Sequence, residues 1–442
     1  MTKNLLDKII EISLFFIFIF IPLIVNPTAY DYFYKPKIES VYALILIICI
    51  CWFIRDFVVA RSLAWKKNPL SLPLLMYALI CVISTITSID PHLSLKGDVL
   101  REEGLIALLS YSALVFLMGN VIRSRELGTR LLKGLVLATA ILSLYGLIQY
   151  FGYNPTVHFI FKPPPGRVSS TMGNPNFLGK YLVLTIPLLL IFYLQSKQIT
   201  MKILVAAGST CAFSCLILTY SRGSWIGFCF GLLSLLFLLQ RFAVAYRLKE
   251  LLVLGVLFFL AMIFLNLYRP NIEGIETPRG EGMIVHRALS SREVSSGIGV
   301  ATRLFVWKKA LLLIAQRPWF GYGPETFEKA FRPYNLEYAK KFNDYVRVDR
   351  IHNNYLDLAF AIGVLGLSAY FLILLVFFLS LLRSFGEDTD QNWRTLSIGI
   401  LSGCVGYLVN DLFIFSVVSI SPTFWSLIGL ALALRGKEWG EV

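Results

Sequence analysis

Four short polar segments of this chain lie between or beside long apolar runs, and each holds side chains that could do chemistry. The first, Thr-Tyr-Ser-Arg-Gly at 219–223, places Arg222 between two apolar runs. A charge in this position is costly unless it is paired, reaches the lipid headgroups or serves a ligand. Arg222 therefore predicts either a headgroup contact or a guanidinium group held for an anion.

A second cationic group lies in a segment whose apolar residues recur at helical spacing: Leu304, Trp307, Leu311 and Ile314. Basic side chains fall between them at Arg303, Lys308 and Lys309. A basic amphipathic helix of this kind is typical of a membrane surface. A guanidinium group also suits phosphate oxygens, because it donates two parallel hydrogen bonds, so Arg303 is a candidate phosphate ligand.

The third segment, Ile-His-Asn-Asn-Tyr at 351–355, stands where another apolar run begins. A histidine near neutral pH can accept a proton from a hydroxyl group, so His352 is a candidate general base; a structural role is the alternative. Arg347, Arg350 and Tyr355 are close to it in the sequence and are candidate substrate-binding residues.

The fourth segment, residues 166–176, is rich in small polar residues and precedes a further apolar run. It is either a plain turn or a loop that offers donors to a sugar or a phosphate. In the second case Arg167, Asn174 and Asn176 are the candidate substrate-binding residues.

The composition decides which class of protein must position these residues. Hydrophobic residues make up 57% of the 442 residues and charged residues only 15%. A globular interior cannot hide that much apolar surface, whereas a bilayer supplies an apolar solvent for spanning helices. The net charge of +14 falls mostly in short loops, without a basic patch interleaved with aromatic residues, so we predict no nucleic-acid partner.

Apolar periodicity and length predict an all-α integral membrane protein with about 12 transmembrane helices. The predicted spans are 9–25, 38–54, 70–87, 104–122, 131–151, 177–194, 201–219, 223–239, 250–267, 355–382, 395–414 and 417–434. With the N-terminus inside, about 19 basic residues fall in the inner segments and about seven in the short outer loops. This bias predicts that both termini are cytoplasmic.

One outer loop is far longer than the others and divides the chain into three parts. Residues 1–267 hold spans one to nine, residues 268–352 form the outer loop with its amphipathic helix, and residues 353–442 hold spans ten to twelve. Long loops inside a compact protein are usually functional.

Five motifs resemble those of the O-antigen ligase and O-antigen polymerase family of bacterial membrane glycosyltransferases. They are G-D-V-L-R-E-E-G-L at 97–105, S-T-M-G-N-P-N-F-L-G at 170–179, T-Y-S-R-G-S-W at 219–225, R-P-W-F-G-Y-G-P at 317–324 and H-N-N-Y-L at 352–356. The predicted layout, with its largest outer loop between spans nine and ten, is also similar to that of the ligases.

The resemblance implies a GT-C-like fold in the bacterial inner membrane, with a periplasmic active site and no cofactor. It implies a metal-independent, inverting transfer of a glycan from undecaprenyl pyrophosphate to an acceptor hydroxyl. Carried over residue by residue, Arg222 and Arg303 would bind the pyrophosphate and His352 would be the base. The implied partners are the lipid-linked glycan donor, membrane lipid, and an acceptor that is either lipid A-core or the growing glycan.

Two alternatives to an O-antigen ligase remain. A polymerase uses the same chemistry with the growing glycan as acceptor, and the sequence does not choose between the two; the layout favours a ligase. A secondary transporter of a glycan or another solute is also compatible with about twelve spans. Transporters usually show repeated halves and polar residues at mid-membrane. The predicted spans are nearly free of charge in their middle; Asp411 is the exception, and the end of span eleven places it near the outer side.

Overall fold

The computed structural model describes residues 2–27, 31–61, 68–99, 101–152, 167–242, 248–267, 300–342, 348–388 and 390–435. All regular structure in these ranges is helical. Within these described ranges, seven helices are long and apolar enough to cross a membrane: Lys35–Val59, Arg125–Tyr150, Pro175–Gln195, Ile199–Leu218, Arg222–Arg241, Lys249–Leu267 and Asn354–Glu387. The predicted all-α membrane class is therefore confirmed.

The described helices are numbered here in chain order. They are α1 Thr2–Phe15, α2 Lys35–Phe53, α3 Ser71–Ile86, α4 Pro91–Lys96, α5 Leu105–Val121, α6 Arg125–Tyr150, α7 Pro175–Gln195, α8 Ile199–Leu218, α9 Arg222–Arg241, α10 Leu248–Leu267, α11 Val300–Gln316, α12 Phe327–Phe331, α13 Asn335–Phe342, α14 Asn354–Glu387, α15 Gln391–Asn410 and α16 Ser421–Ala433. A π-helical turn extends α1 towards Leu23 and another extends α2 to Val59.

Each predicted span has a helix in its place. Seven of these are the long apolar helices given above, three (α3, α5 and α16) are shorter apolar helices, and α1 and α15 are in neither group. The total of twelve spans stays a prediction. The boundary predicted between the last two spans was wrong. Span eleven was predicted to reach 414 and span twelve to begin at 417, whereas α15 ends at Asn410 and α16 begins at Ser421. Residues 411–420, here called the central loop, connect them.

Helix α7 forms the middle of the bundle. Every side chain from Phe177 to Leu194 is buried, and α7 packs against α8, α9 and α15. Small residues allow the close approaches: a Cβ atom at Gly403 of α15 would lie 2.1 Å from the carbonyl oxygen of Leu184. The bundle core thus fixes the ends of α7, α9 and α15 relative to one another.

A second apolar cluster covers one end of the bundle. It is built mainly from residues 300–342 and 348–353, here called the cap, and from the first turns of α14. The backbone N–H groups of Tyr322 and Gly323 donate to the carbonyl oxygens of Phe360 and Ala361, both at 2.9 Å, and the Val364 N–H donates to Pro318 at 2.7 Å. The cap is therefore joined to α14 through its main chain.

Gly363 makes this junction possible by interrupting α14. Its φ is +71°, in the left-handed region that favours glycine, and a Cβ atom there would lie 2.1 Å from the carbonyl oxygen of Trp319. The kink frees main-chain groups of α14 that the cap then satisfies, as buried backbone groups require.

Helix α11 of the cap lies where a helix was predicted, but its buried face differs from the predicted one. Phe305, Val306, Ala310 and Leu313 are buried. Of the predicted apolar face, Ile314 is buried and Trp307 is partly buried, whereas Leu304 and Leu311 are 56% and 55% exposed. The helix has apolar residues on two sides, and the pattern of spacing alone could not tell which side meets the protein.

Ion pairs join the helix ends at the opposite end of the bundle. Arg55 pairs with Asp7 at 2.9 Å and with Asp56 at 2.7 Å, and Arg125 pairs with Asp388 at 2.6 Å. The pairs with Asp7 and Asp388 join neighbouring helices, whereas Asp56 lies beside Arg55 in the same turn. The cap end, in contrast, carries the candidate functional residues.

Candidate active site

The central loop gathers the candidate residues around the ring of Phe415. The imidazole ring of His352 lies 5.4 Å from the Phe415 ring, centroid to centroid. The guanidinium carbons of Arg101 and Arg350 lie 4.8 Å and 5.2 Å from the same centroid. Such cation–π contacts hold guanidinium groups in place while leaving their N–H donors for other partners.

Arg303 and the segment after Arg222 meet the same loop two residues earlier. Nη1 of Arg303 donates to the carbonyl oxygen of Phe413 at 3.3 Å. A Cβ atom at Gly223 would lie 2.7 Å from Cβ of Phe413, so the first turn of α9 packs directly on this residue. Arg222 is half-buried at the start of that turn. The structure thus brings the first turn of α9, the Arg303 side chain and His352 to one three-residue segment.

Hydrogen bonds fix the residues on both sides of His352 in the sequence. Nε1 of Trp307 donates to the carbonyl oxygen of Ile351 at 2.9 Å, and the Asn353 side chain accepts from the N–H groups of Tyr355 and Leu356 at the start of α14. His352 itself has φ +58°, a left-handed conformation that is uncommon for a side chain of this size. The fold therefore fixes the left-handed backbone of His352, and with it the position of the imidazole.

This left-handed backbone recurs in the motifs. Among the described residues, the non-glycine positions with positive φ are Arg61, Glu102, Ser170, Tyr220, Glu325 and His352. All except Arg61 fall within one of the five motifs or directly after it. A left-handed residue costs on the order of 1–2 kcal/mol, and such strain gathers at functional sites.

Carboxylates balance two of the three arginines near Phe415. Nη2 of Arg101 lies 2.6 Å from Oδ2 of Asp349, and Arg350 pairs with the buried Glu325. Burial alone would raise the pKa of Asp349, but Arg101, Arg350 and His352 hold it below the usual value of an aspartate. Asp349 therefore remains charged and keeps Arg101 in place.

The pKa of His352 is lowered to about 3, first by burial and then by the positive charge of Arg303. Asp349 opposes this shift, whereas Arg101 and Arg350 add to it. His352 is therefore neutral at physiological pH and available to accept a proton.

Glu103 lies on the other side of the central loop, where Ser416 Oγ donates to it at 2.7 Å. Burial raises its pKa to about 7, although the nearby Arg350 opposes the shift. A narrow cleft lined by Tyr34, Arg101, Glu103 and Phe177 adjoins this point. Glu103 therefore titrates near neutral pH, whereas His352 stays neutral there.

The other predicted binding residues have partners of their own. Arg167 donates to the carbonyl oxygen of Thr219 at 2.7 Å and to Oδ1 of Asn176 at 2.9 Å. Asn174 caps α7 by accepting from the Asn176 N–H, and the Tyr355 hydroxyl donates to the carbonyl oxygen of Leu408.

These contacts brace the segments that lead to α7, α9 and α14, and a substrate-binding role for the same residues stays a prediction. Arg350 is the member of that predicted set that lies against the Phe415 ring. Arg347 is outside the described residues.

Sequence reasoning missed a buried ionic network beneath the loop. Lys180 of α7 pairs with Asp411 and donates to the carbonyl oxygen of Phe415 at 3.1 Å. Asp411 accepts from the side-chain amide of Asn354 at 3.1 Å, and Asn354 in turn accepts from the Ser416 N–H at 3.1 Å. The signal was available, because a lone lysine inside an apolar run indicates a paired or functional charge.

Residues 207–371 match the family described as O-antigen ligase. This segment contains Arg222, Arg303 and His352, together with α9, α10, the cap and the first half of α14. No curated protein matches the chain. The match indicates a glycosyltransferase of the O-antigen ligase or polymerase type, and over residues 207–371 it confirms the resemblance predicted from the motifs.

Proposed function

We propose that this protein is an O-antigen ligase. It transfers a glycan from undecaprenyl pyrophosphate to a hydroxyl group of lipid A-core at the periplasmic face of the inner membrane. The observation that carries the proposal is the meeting of Arg303, His352 and the first turn of α9 at Phe413–Phe415.

The proposed reaction needs charge balance more than acid catalysis. The donor pyrophosphate is a diester with two negative charges, and undecaprenyl pyrophosphate, which is already a good leaving group, departs as a monoester with one negative charge more. Arg222 and Arg303 bind its oxygens, since guanidinium groups match phosphate oxygens in geometry as well as charge. In a partly dehydrated site such fixed cations stabilise developing negative charge more strongly than they would in water.

His352 acts as the base. The acceptor oxygen attacks the anomeric carbon from the face opposite the pyrophosphate, the carbon–oxygen bond to the phosphate breaks, and the hydroxyl proton passes to the imidazole. The configuration at the anomeric carbon inverts. Binding of the donor adds negative charge beside His352, which raises its pKa and hence its strength as a base when the substrate is in place.

The test is transfer by the purified protein in nanodiscs, supplied with an undecaprenyl-pyrophosphate-linked glycan and lipid A-core. We expect the glycan on lipid A-core, and we expect His352→Ala to lower kcat by about 100- to 10,000-fold, the usual contribution of a general base. His92→Ala is the matched control, because His92 is an exposed histidine of α4. Donor binding should be retained in both variants.

The other outcomes of this experiment are equally informative. If only the lipid-linked glycan lengthens, the protein is a polymerase and the ligase proposal is wrong. If labelled donor crosses sealed vesicles without a new glycosidic bond, it is a transporter. A chelator should leave the rate unchanged, because guanidinium groups supply the proposed charge balance; strong inhibition would contradict that part of the mechanism.

A further inference from the structure

A groove of about 1140 Å³ opens between helices at the end of the bundle opposite the cap. Its walls are the first half of α6 and the first half of α8, and its floor is the last turns of α7, which contribute Leu189, Phe192 and Gln195. None of these residues takes part in the site around Phe415.

The lining of the groove changes character along its length. Basic side chains stand at the mouth, where Arg130 and Lys133 of α6 face Lys197 before α8. Deeper along the same helices the lining is apolar, and two of its residues, Leu137 and Leu204, are 55% and 61% exposed. Exposed leucines on helices apolar enough to cross a membrane face hydrocarbon rather than water.

The inner end of the groove is closed by contact between its walls. A Cβ atom at Gly208 of α8 would lie 3.4 Å from Cβ of Ala140 on α6. From Lys133 to Ala140 the helix rises by roughly 10 Å at about 1.5 Å per residue. The groove therefore accepts the upper part of an acyl chain and not a whole transmembrane helix.

The charges at the mouth are unevenly balanced. Arg125 is paired with Asp388 and Asp390, and Arg130 lies 2.8 Å from Glu11. Within the part of the chain that the structure describes, neither Lys133 nor Lys197 forms an ion pair. Both lysines are exposed, whereas the acidic Glu126 lies at the outer edge of the same rim.

We propose that this groove binds an anionic phospholipid of the adjoining membrane leaflet. The phosphodiester lies between Lys133 and Lys197, and one acyl chain runs along Leu137 and Leu204 towards Ala140. Two observations select this occupant: a basic mouth complements a phosphate, and an apolar slot leads from it into the hydrocarbon layer. The inference does not depend on the proposed transferase activity.

Native mass spectrometry of the delipidated protein tests the proposal, with dioleoyl phosphatidylglycerol, dioleoyl phosphatidylcholine and inorganic phosphate added separately. We expect one tightly retained phosphatidylglycerol and much weaker retention of phosphatidylcholine. Replacing both lysines, as Lys133→Gln with Lys197→Gln, should weaken retention about 30-fold, because each lysine near a membrane surface contributes about a fivefold preference for anionic lipid.

The matched control changes two exposed lysines at the cap end, Lys96→Gln with Lys340→Gln, and should leave retention unchanged. Equal retention of the two phospholipids, or unchanged retention in the double variant of the groove, would overturn the proposal. Retention of inorganic phosphate as strong as that of the lipid would assign the site to the anion alone. A dimer without bound lipid would assign the groove to a second copy of the chain.

Discussion

At the scale of single residues, His352 must reconcile two requirements. A base needs a free lone pair at neutral pH, and burial next to Arg303 provides it by lowering the pKa. The same shift weakens the imidazole as a proton acceptor, since basicity falls with pKa. The negative charge of a bound donor would restore it, which links the strength of the base to the presence of the substrate.

The pH dependence of transfer tests this arrangement. His352 must be neutral to accept a proton, and its lowered pKa keeps it neutral far below its usual value. The substitution Glu103→Gln removes the titration of Glu103, whose pKa is about 7, from the pH dependence of kcat/KM. A second buried carboxyl, Asp357, accepts from the Ile351 N–H, and Asp357→Asn removes it as well. For the double variant we expect kcat/KM to stay level from about pH 7 to about pH 5, because His352 stays neutral in that range. An inflection near the ordinary pKa of histidine would contradict the lowered pKa.

Substituting lysine for either proposed pyrophosphate ligand tests geometry separately from charge. Arg222→Lys and Arg303→Lys keep the positive charge but lose the paired donors, so we expect kcat/KM to fall by about 10- to 100-fold each. Arg332→Lys is the control, because Arg332 is an exposed arginine of the cap. Near-normal turnover of a variant, in membranes with matched protein levels, would show that the substituted arginine is not a pyrophosphate ligand.

The sequence predicted three residues of this site but not their neighbours. Arg222, Arg303 and His352 belong to recognisable motifs, and the structure brings their segments together. Arg101 was quoted within a motif without a role, since only the fold shows that a residue 251 positions earlier lies beside His352. Lys180 was passed over because the apolar residues around it dominated the interpretation of that segment.

At the scale of elements, the central loop is the part that hydropathy could not predict. Leu412, Phe413, Ile414 and Phe415 continue the apolar character of α15, so the pattern extends the span through them. The helix nevertheless ends at Asn410, since the buried Asp411 and Asn354 use their polar groups to fix a turn there. Tertiary partners, rather than local propensity, set this boundary.

The kink in α14 yields a stability prediction. Gly363→Ala would place a Cβ atom against Trp319 in a left-handed residue, so we expect the free energy of unfolding to fall by more than about 2 kcal/mol. Gly386→Ala lies in the same helix with open space around it and should change the free energy of unfolding by less than about 1 kcal/mol. Thermal unfolding in detergent measures both, and equal effects would show that the kink is not required.

At the scale of the whole molecule, the buried pair of Lys180 and Asp411 joins the middle of the bundle to its functional end. Both side chains are fully buried, so neither charge is screened by water. Lys180 lies on α7 and Asp411 follows α15, the two helices that pack most extensively in the core. The position of the central loop is therefore set by the interior of the bundle as well as by the cap.

Removing one partner of this pair should lower the free energy of unfolding more than removing both. Lys180→Met leaves a buried carboxylate without its counter-ion, and we expect a loss of about 3–5 kcal/mol in the free energy of unfolding. Adding Asp411→Asn in the same chain should recover much of that loss, because the unpaired charge is gone. The four members of this double-mutant cycle are compared by thermal unfolding; additive effects would mean that the two residues are not coupled.

The main-chain junction between the cap and α14 has a consequence for how the cap can diverge. Its hydrogen bonds require backbone groups and a few glycines, and they place no demand on the identity of the exposed side chains. Divergence on the outer surface of residues 300–342 can therefore proceed without detaching that segment. We expect grafts of this segment between relatives to keep the junction, which makes it a natural unit for testing what selects the recipient in the proposed transfer.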